Sequence, residues 1–216
     1  MIQYALVRGV TMKQLIIFDN AFDIKKYVLD NSVRKIGSGW EGTVYLTPSN
    51  NTLKLFKDNY KVSYNEDILM ASDLNLKSFV FPDELFICDN QIYGYKAKYF
   101  FNDIFNSTKK DKFIDLEKLL IARRQVLEDI KVLTQANYRL RDISNNILFD
   151  NNNLAIIDTL SYDKKSVTLD ENIELLDDAL NLELMDIDLL TCALHMPFED
   201  KIKRLINKNK GNIFKY

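Results

Sequence analysis

Ile36-Gly37-Ser38-Gly39-Trp40-Glu41-Gly42-Thr43-Val44-Tyr45 is the stretch whose reading decides the fold. The protein has six glycines, and three of them stand here at G-x-G-x-x-G spacing. Glycine lets a backbone approach a phosphate closely, because no Cβ intervenes, and it tolerates tight turns. Two nucleotide-binding architectures use this spacing. In one, the last glycine opens a helix, and an acidic residue follows about twenty positions on. In the other, the glycines form a turn between two strands. Here Thr43-Val44-Tyr45-Leu46 is β-branched and aromatic, and Pro48-Ser49-Asn50-Asn51 turns. Thr52-Leu53-Lys54-Leu55-Phe56 is then a second strand-like run. Strand, glycine turn, strand, turn and a strand carrying a lysine favour the second architecture.

The whole chain sets wide limits around this stretch. Its 216 residues suffice for one sizeable core or two small lobes. Hydrophobic residues at 47% and charged residues at 28% describe a globular protein. A net charge of −2 leaves no electrostatic footprint for nucleic acid. Cys88 and Cys192 form no C-x-x-C pair, which fits a reducing compartment. His195 is the sole histidine, so histidine metal clusters are excluded, and a packing or surface role is expected for it. No leader and no apolar run long enough to span a membrane is legible. Cytoplasmic placement is expected, a secreted effector without a cleaved leader being the alternative.

Periodicity organises the remainder. Lys13 to Phe18 reads as a strand and Ala21 to Asp30 as a short amphipathic helix. Asn65 to Leu74 reads as a second short helix, and Phe79 to Ile87 and Gln91 to Phe100 as strands around the turn Asp89-Asn90. Asn102 to Lys112 is a polar connector. Asp115 to Ala136 carries Leu116, Leu119, Leu120, Val126, Leu127, Ile130 and Leu133, the apolar stripe of a long helix. Asn146 to Phe149 and Leu154 to Ile157 form a hairpin around Asp150-Asn151-Asn152-Asn153. From Asp163 the chain reads as helical, acidic as far as Asp188 and basic over its last sixteen residues. That basic end suits a solvated helix face, with a partner-binding tail as the other reading.

A second motif carries the chemistry. In Arg141-Asp142-Ile143-Ser144-Asn145-Asn146 an acid and an amide precede one hairpin strand, and Asp158 follows its partner. The hairpin sets Asn146 and Asp158 side by side at one rim. Mg²⁺ takes a few oxygens from protein and the rest from phosphates and water, so a carboxylate and an amide suit it. Asp142, one short loop away, would accept a proton from an incoming hydroxyl.

Glycine turn, strand lysine, catalytic-loop Asp and Asn, and metal-binding Asp stand in the order of the protein-kinase-like superfamily, which residues 32 to 160 resemble. The resemblance implies an α+β, two-lobed fold. An antiparallel sheet lobe would span residues 1–101, and a reduced, mainly helical lobe residues 102–216. It implies ATP and Mg²⁺ as cofactors. Gly37, Ser38, Gly39 and Gly42 would cover the phosphates, and Lys54 would neutralise them. Ile36, Val44 and Leu148 would sandwich the adenine, with Lys98 to Phe101 as the hinge. Asp142 would be the base, and Asn146 and Asp158 the metal ligands. Glu66 would pair with Lys54, Asp67 being its rival.

The chain departs from that pattern in several places. Asp142 and Asn146 are one residue closer than in D-x-x-x-x-N, so either the loop has lost a residue or Arg141 holds the base position. Leu140 stands at the usual His, and Ser144 where protein kinases often carry a phosphate-contacting Lys. Thr159-Leu160 replaces Phe-Gly, and no A-P-E segment follows. With 58 residues after Asp158, much of the peptide platform is expected to be missing. The expected activity is phosphoryl transfer to a hydroxyl, with Ser or Thr on a protein as first acceptor. A small-molecule kinase of the aminoglycoside or choline type and a nucleotide-binding pseudokinase are the alternatives.

Overall fold

The computed structural model describes residues 3–6, 14–60, 62–64, 66–105, 112–184, 196–209 and 212–215. Cys192 and His195 lie outside them, as do part of the polar connector and residues 185–195 of the C-terminal region. The chain divides into two compact units, Met1–Asp73 with Phe81–Tyr99, and Leu74–Val80 with Phe100–Tyr216. The short segment Leu74–Val80 thus belongs with the second unit, which sequence reading had not separated from its neighbours.

The first unit is a sheet backed by a helix. Its strands are β1 (Gln3–Leu6), β2 (Gln14–Ile17), β3 (Arg34–Ser38), β4 (Gly42–Leu46), β5 (Asn51–Phe56), β6 (Val62–Ser63), β7 (Pro82–Cys88) and β8 (Gln91–Lys98). Its helices are α1 (Ala21–Asp30) and α2 (Glu66–Ser72). The strand order is β1-β2-β7-β8-β5-β4-β3, with β6 also on β8. All pairs are antiparallel except β2–β7, which is parallel, so the sheet is mixed. The parallel pair arises because α1 and the strands after it intervene between β2 and β7, and a parallel pairing needs such a long crossover.

Helix α1 starts where the Asn20 side chain accepts the Asp23 N–H at 3.0 Å. It buries Ile24 and Val28 against Ile16, Phe18, Leu53, Phe86 and Cys88. Phe18, Tyr27 and Phe86 meet edge to face, with centroids 5.5 to 6.2 Å apart. The β7–β8 hairpin turns through Asp89 and Asn90, both at positive φ, as a two-residue hairpin loop requires. All ten described non-glycine residues with positive φ are Asn or Asp. In a chain with six glycines, these short polar side chains serve as its left-handed turn residues.

The second unit is built on α3 (Leu116–Gln135). Its other elements are β9 (Lys112–Asp115), β10 (Tyr138–Arg139), β11 (Ile147–Phe149), β12 (Leu154–Ile156), β13 (Asp163–Lys164), α4 (Leu169–Glu183), α5 (Phe198–Asn209) and β14 (Asn212–Lys215). The strands pair as β9–β14, β10–β13 and β11–β12, all antiparallel. The region after Asp163 therefore contains short strands as well as helices. The apolar stripe of α3 is buried except Leu127, which is half-buried. Two charged residues, Arg123 and Asp129, are buried beside it. Asp129 accepts the Ser78 N–H at 2.6 Å, which ties Leu74–Val80 to α3. Phe79, expected within a strand, instead forms an isolated parallel bridge to Ile156, and the strand begins at Pro82.

Candidate active site

On the first unit the glycine turn joins β3 to β4. The Gly39 N–H donates to the Gly42 carbonyl at 2.9 Å and closes the tip. A Cβ on Gly42 would collide with the Leu55 carbonyl oxygen, because β4 and β5 approach closely there. A Cβ on Gly39 would meet nothing within 4 Å. The sheet itself therefore demands glycine at Gly42 and makes no such demand at Gly39. Ser38, exposed, has its hydroxyl 3.3 Å from that of Thr43. Ile36 and Val44 are half-buried on adjacent strands, and Gly37 lies opposite Val44.

Lys54 sits in β5 between Val44 and Tyr95, so the three side chains share one sheet face. It is buried, and its Nζ donates to Glu41 Oε2 at 2.5 Å. The rings of Phe56 and Tyr95 stand 5.4 and 5.8 Å from the ammonium. Glu66, the expected partner of Lys54, is the first residue of α2, and its side chain lies outside the described residues. The pairing that the structure does describe comes from Glu41, within the glycine turn itself.

On the second unit the loop from Leu140 to Asn146 alternates anchors with exposed polar groups. Leu140, Ile143 and Ile147 are buried, while Arg141, Asp142, Ser144 and Asn145 are exposed. Asp142 and Asn145 both adopt positive φ, at 53° and 63°. The Asn146 Nδ2 donates to the Asp142 carbonyl at 2.6 Å and closes the loop on itself. That bond leaves Oδ1 as the amide's acceptor end. Leu148 is half-buried on β11. At the hairpin rim the Ile157 N–H donates to the Asn146 carbonyl at 2.9 Å, one residue before Asp158. Asp158 is half-buried at φ 59°, ψ 45°. The hairpin therefore sets Asn146 opposite Ile157, with Asp158 as the next residue along the chain. Burial, and then the nearby Asp158 charge, push the Tyr162 phenol far above its ordinary range.

Oxygen donors of this kind fit a hard cation. Among the described residues no cluster of three or more His, Cys, Asp or Glu is placed to hold a metal. A cation at Asn146 and Asp158 would therefore draw its remaining ligands from phosphate and water.

Sequence reading missed two further groups. Asn172 on α4 is fully buried, and its Oδ1 accepts the Leu140 N–H at 2.9 Å. Its Nδ2 donates to the Tyr138 carbonyl at 3.0 Å and to the Thr134 hydroxyl at 2.8 Å. One amide thus satisfies the backbone where the loop leaves β10. Helix α4 holds Asn172 there from a capped start, with Thr168 and Glu171 in a reciprocal capping box. Nothing in the sequence links Asn172 to a loop some thirty residues earlier. The second group is Glu41, visible as the acid inside the glycine turn but given no partner.

No protein-family model and no curated protein sequence matches the chain. Among solved structures it is similar to the twitchin kinase region of C. elegans, with TM-score 0.52 and 14% identity, over 84% of this chain and 38% of that one. It is also similar to the autoinhibited serine kinase domain of the giant muscle protein titin, with TM-score 0.52 and 15% identity, over 82% of this chain and 66% of that one. The chain thus spans less than two thirds of the length of either. The likeness shows the fold, an α+β protein-kinase-like one. Among the described residues no helix is long and apolar enough to cross a membrane.

Proposed function

We propose that this protein-kinase-like chain is an ATP- and Mg²⁺-dependent phosphotransferase that acts on a hydroxyl, with Ser or Thr of a protein as acceptor. The observation that supports the reading is the rim of the β11–β12 hairpin, where the Asn146 backbone bonds that of Ile157, the neighbour of Asp158, in a fold whose strand lysine, Lys54, is buried on the sheet face. Gly37, Ser38, Gly39 and Gly42 cover phosphate with backbone, and Lys54 neutralises it. Ile36, Val44 and Leu148 supply apolar surface for the base. Asn146 and Asp158 hold Mg²⁺, which when bound offsets phosphate charge. Asp142 takes the acceptor's proton while that oxygen bonds the γ-phosphorus and the bond to the β–γ bridging oxygen breaks, releasing ADP. Positioning and charge neutralisation supply most of the rate. Exposed Ser144, at a place where a lysine often contacts phosphate, keeps a small-molecule acceptor as the second reading. Incubation with γ-labelled ATP and Mg²⁺, with and without a cell lysate, tests both. Label on protein supports the first, and label on a small molecule alone supports the second. ATP binding without any transfer would reduce the protein to a nucleotide-binding module.

Two variants test the residue roles. Lys54→Met is expected to keep the fold, because its stem stays packed against Phe56 and Tyr95. Transfer should fall severely as a charge on the phosphates is lost, and unchanged turnover at saturating ATP would remove Lys54 from the site. Mg²⁺-ATP should raise the melting temperature of wild type, since a ligand of the native state stabilises it. Asp158→Ala should lose most of that rise and Asn146→Ala less, because a carboxylate neutralises charge and an amide supplies only a dipole. An equal rise in wild type and Asp158→Ala would show that Asp158 is not a ligand.

A further inference from the structure

Asp158 adopts φ 59° and ψ 45°, a left-handed conformation that a residue with a side chain reaches only at a cost. Such a residue persists where its surroundings over-determine it. Here both flanks of Asp158 are tied to one short segment, residues 78–80. Two residues before Asp158, the Ile156 N–H donates to the Ser78 carbonyl at 2.7 Å, and the Ile156 carbonyl accepts the Val80 N–H at 2.8 Å. One residue after it, the hydroxyl of buried Thr159 donates to the Val80 carbonyl at 3.3 Å. Further on, the buried Tyr162 ring meets that of Phe79 edge to face, with centroids 6.1 Å apart. Residues 78–80 thus form a cradle for the turn that carries Asp158.

The cradle is itself fastened from α3, the twenty-residue helix on which the second unit is built. Asp129, 7% exposed, accepts the Ser78 N–H at 2.6 Å. Its other oxygen takes the Gln125 amide at the longer distance of 3.3 Å. A carboxylate is costly to bury, but it binds an N–H about twice as strongly as a neutral acceptor does. The chain therefore holds residues 78–80 more firmly than a single amide needs for its own satisfaction.

We infer that Asp129 and Thr159 are positioning residues for metal binding: through residues 78–80 they preset the left-handed turn at Asp158, Asp129 from α3 and Thr159 from the far side of the turn. The inference rests on the reading of Asp158 as a Mg²⁺ ligand. Neither residue needs to touch metal or phosphate, since each acts by fixing the backbone from which the carboxylate leaves. A turn held in advance spares the metal the cost of ordering it. A loosened turn lowers the apparent affinity by the fraction of molecules that remain competent.

Mn²⁺ is the probe, because it takes the same oxygen ligands in octahedral geometry. The electron spin resonance of the free ion counts its binding in the presence of saturating ADP. D129A and T159V should bind Mn²⁺ about tenfold more weakly than wild type, while ADP affinity without metal stays the same. D129N and T159S, which keep an acceptor oxygen and a hydroxyl, should lie close to wild type. T159V has the shape of Thr without its hydroxyl, so it tests the cradle even where D129A is too unstable to purify. Amide hydrogen exchange in protein free of metal and nucleotide gives an independent readout. The Val80 and Ile156 N–H groups should exchange faster in D129A and T159V, and those of α1 should not. Unaltered Mn²⁺ affinity in these two variants would overturn the positioning role, as would a loss that D129N and T159S share. D158A is the control: if it binds Mn²⁺ as tightly as wild type, or if wild type binds none, the reading of Asp158 falls and the positioning role with it.

Discussion

Asp142→Asn is expected to lower the phosphoryl-transfer rate about 10²- to 10⁴-fold while leaving Mg²⁺-ATP affinity unchanged. The substitution removes a proton acceptor and keeps the shape of the side chain. Asn also tolerates the positive φ of 53° at this position. The loop should stay closed, because the Asn146 amide bonds the backbone carbonyl of residue 142 and not its side chain. Arg141→Ala should do far less to the chemistry, since this reading places Arg141 away from the acceptor. Single-turnover transfer of γ-labelled phosphate separates the two outcomes. An unchanged rate in Asp142→Asn would show that Asp142 is not the base. Wild type that binds ATP without transfer, together with a silent Asp142→Asn, would place Arg141 in the base position.

Arg123→Met is expected to destabilise the protein by about 3–5 kcal/mol, the usual result of stripping one partner from a buried ion pair. Arg123 reaches from α3 to Asp177 on α4 in a two-pronged bond, Nε to Oδ1 at 2.8 Å and Nη2 to Oδ2 at 2.9 Å. Its guanidinium also lies 5.3 Å from the centre of the Phe198 ring on α5, so one side chain joins three helices. Burial pushes the Asp177 carboxyl above its ordinary range, and Arg123 opposes that push. A carboxyl raised in the folded state binds its proton more tightly there than when unfolded. Its contribution is therefore fully present at low pH and declines as pH rises through the folded value. Without Arg123 the push is less opposed, so the deficit of Arg123→Met should be smaller near pH 4 than at pH 7. Urea unfolding at both values checks the sign. Arg123→Met with Asp177→Leu should recover much of the loss, because removing both charges leaves none stranded. A double variant no more stable than the single one would refute this account.

Local pattern made most elements legible. Helix α1 spans the expected Ala21–Asp30, and α3, Leu116–Gln135, starts and ends within one residue of the expected Asp115 to Ala136. The β11–β12 hairpin follows from two short apolar runs around Asp150-Asn151-Asn152-Asn153. In each case the signal is short-range, a period of side chains or the dihedral preference of a turn residue. Long-range pairings left no such trace. The parallel β2–β7 contact joins segments about seventy residues apart, and both read simply as strands. Nothing in the sequence marks Arg123 and Asp129 as buried, because the carboxylate and the backbone that they bond come from distant segments.

The candidate site divides along the same line. Residue type and order along the chain put forward Lys54, Asp142, Asn146 and Asp158 as candidates, since metal, phosphate and proton chemistry each restrict which side chains can serve. The sequence by itself also determined the hairpin on whose rim Asn146 lies, because a short apolar run and a turn are local properties. Tertiary structure alone decided which partners those groups keep. Lys54 meets Glu41 only when β4 and β5 pair, and Asn172 reaches Leu140 only when α4 packs beside α3. Such contacts depend on chain segments brought together by burial of apolar surface, a force without direction that leaves no residue-by-residue mark of who will stand next to whom.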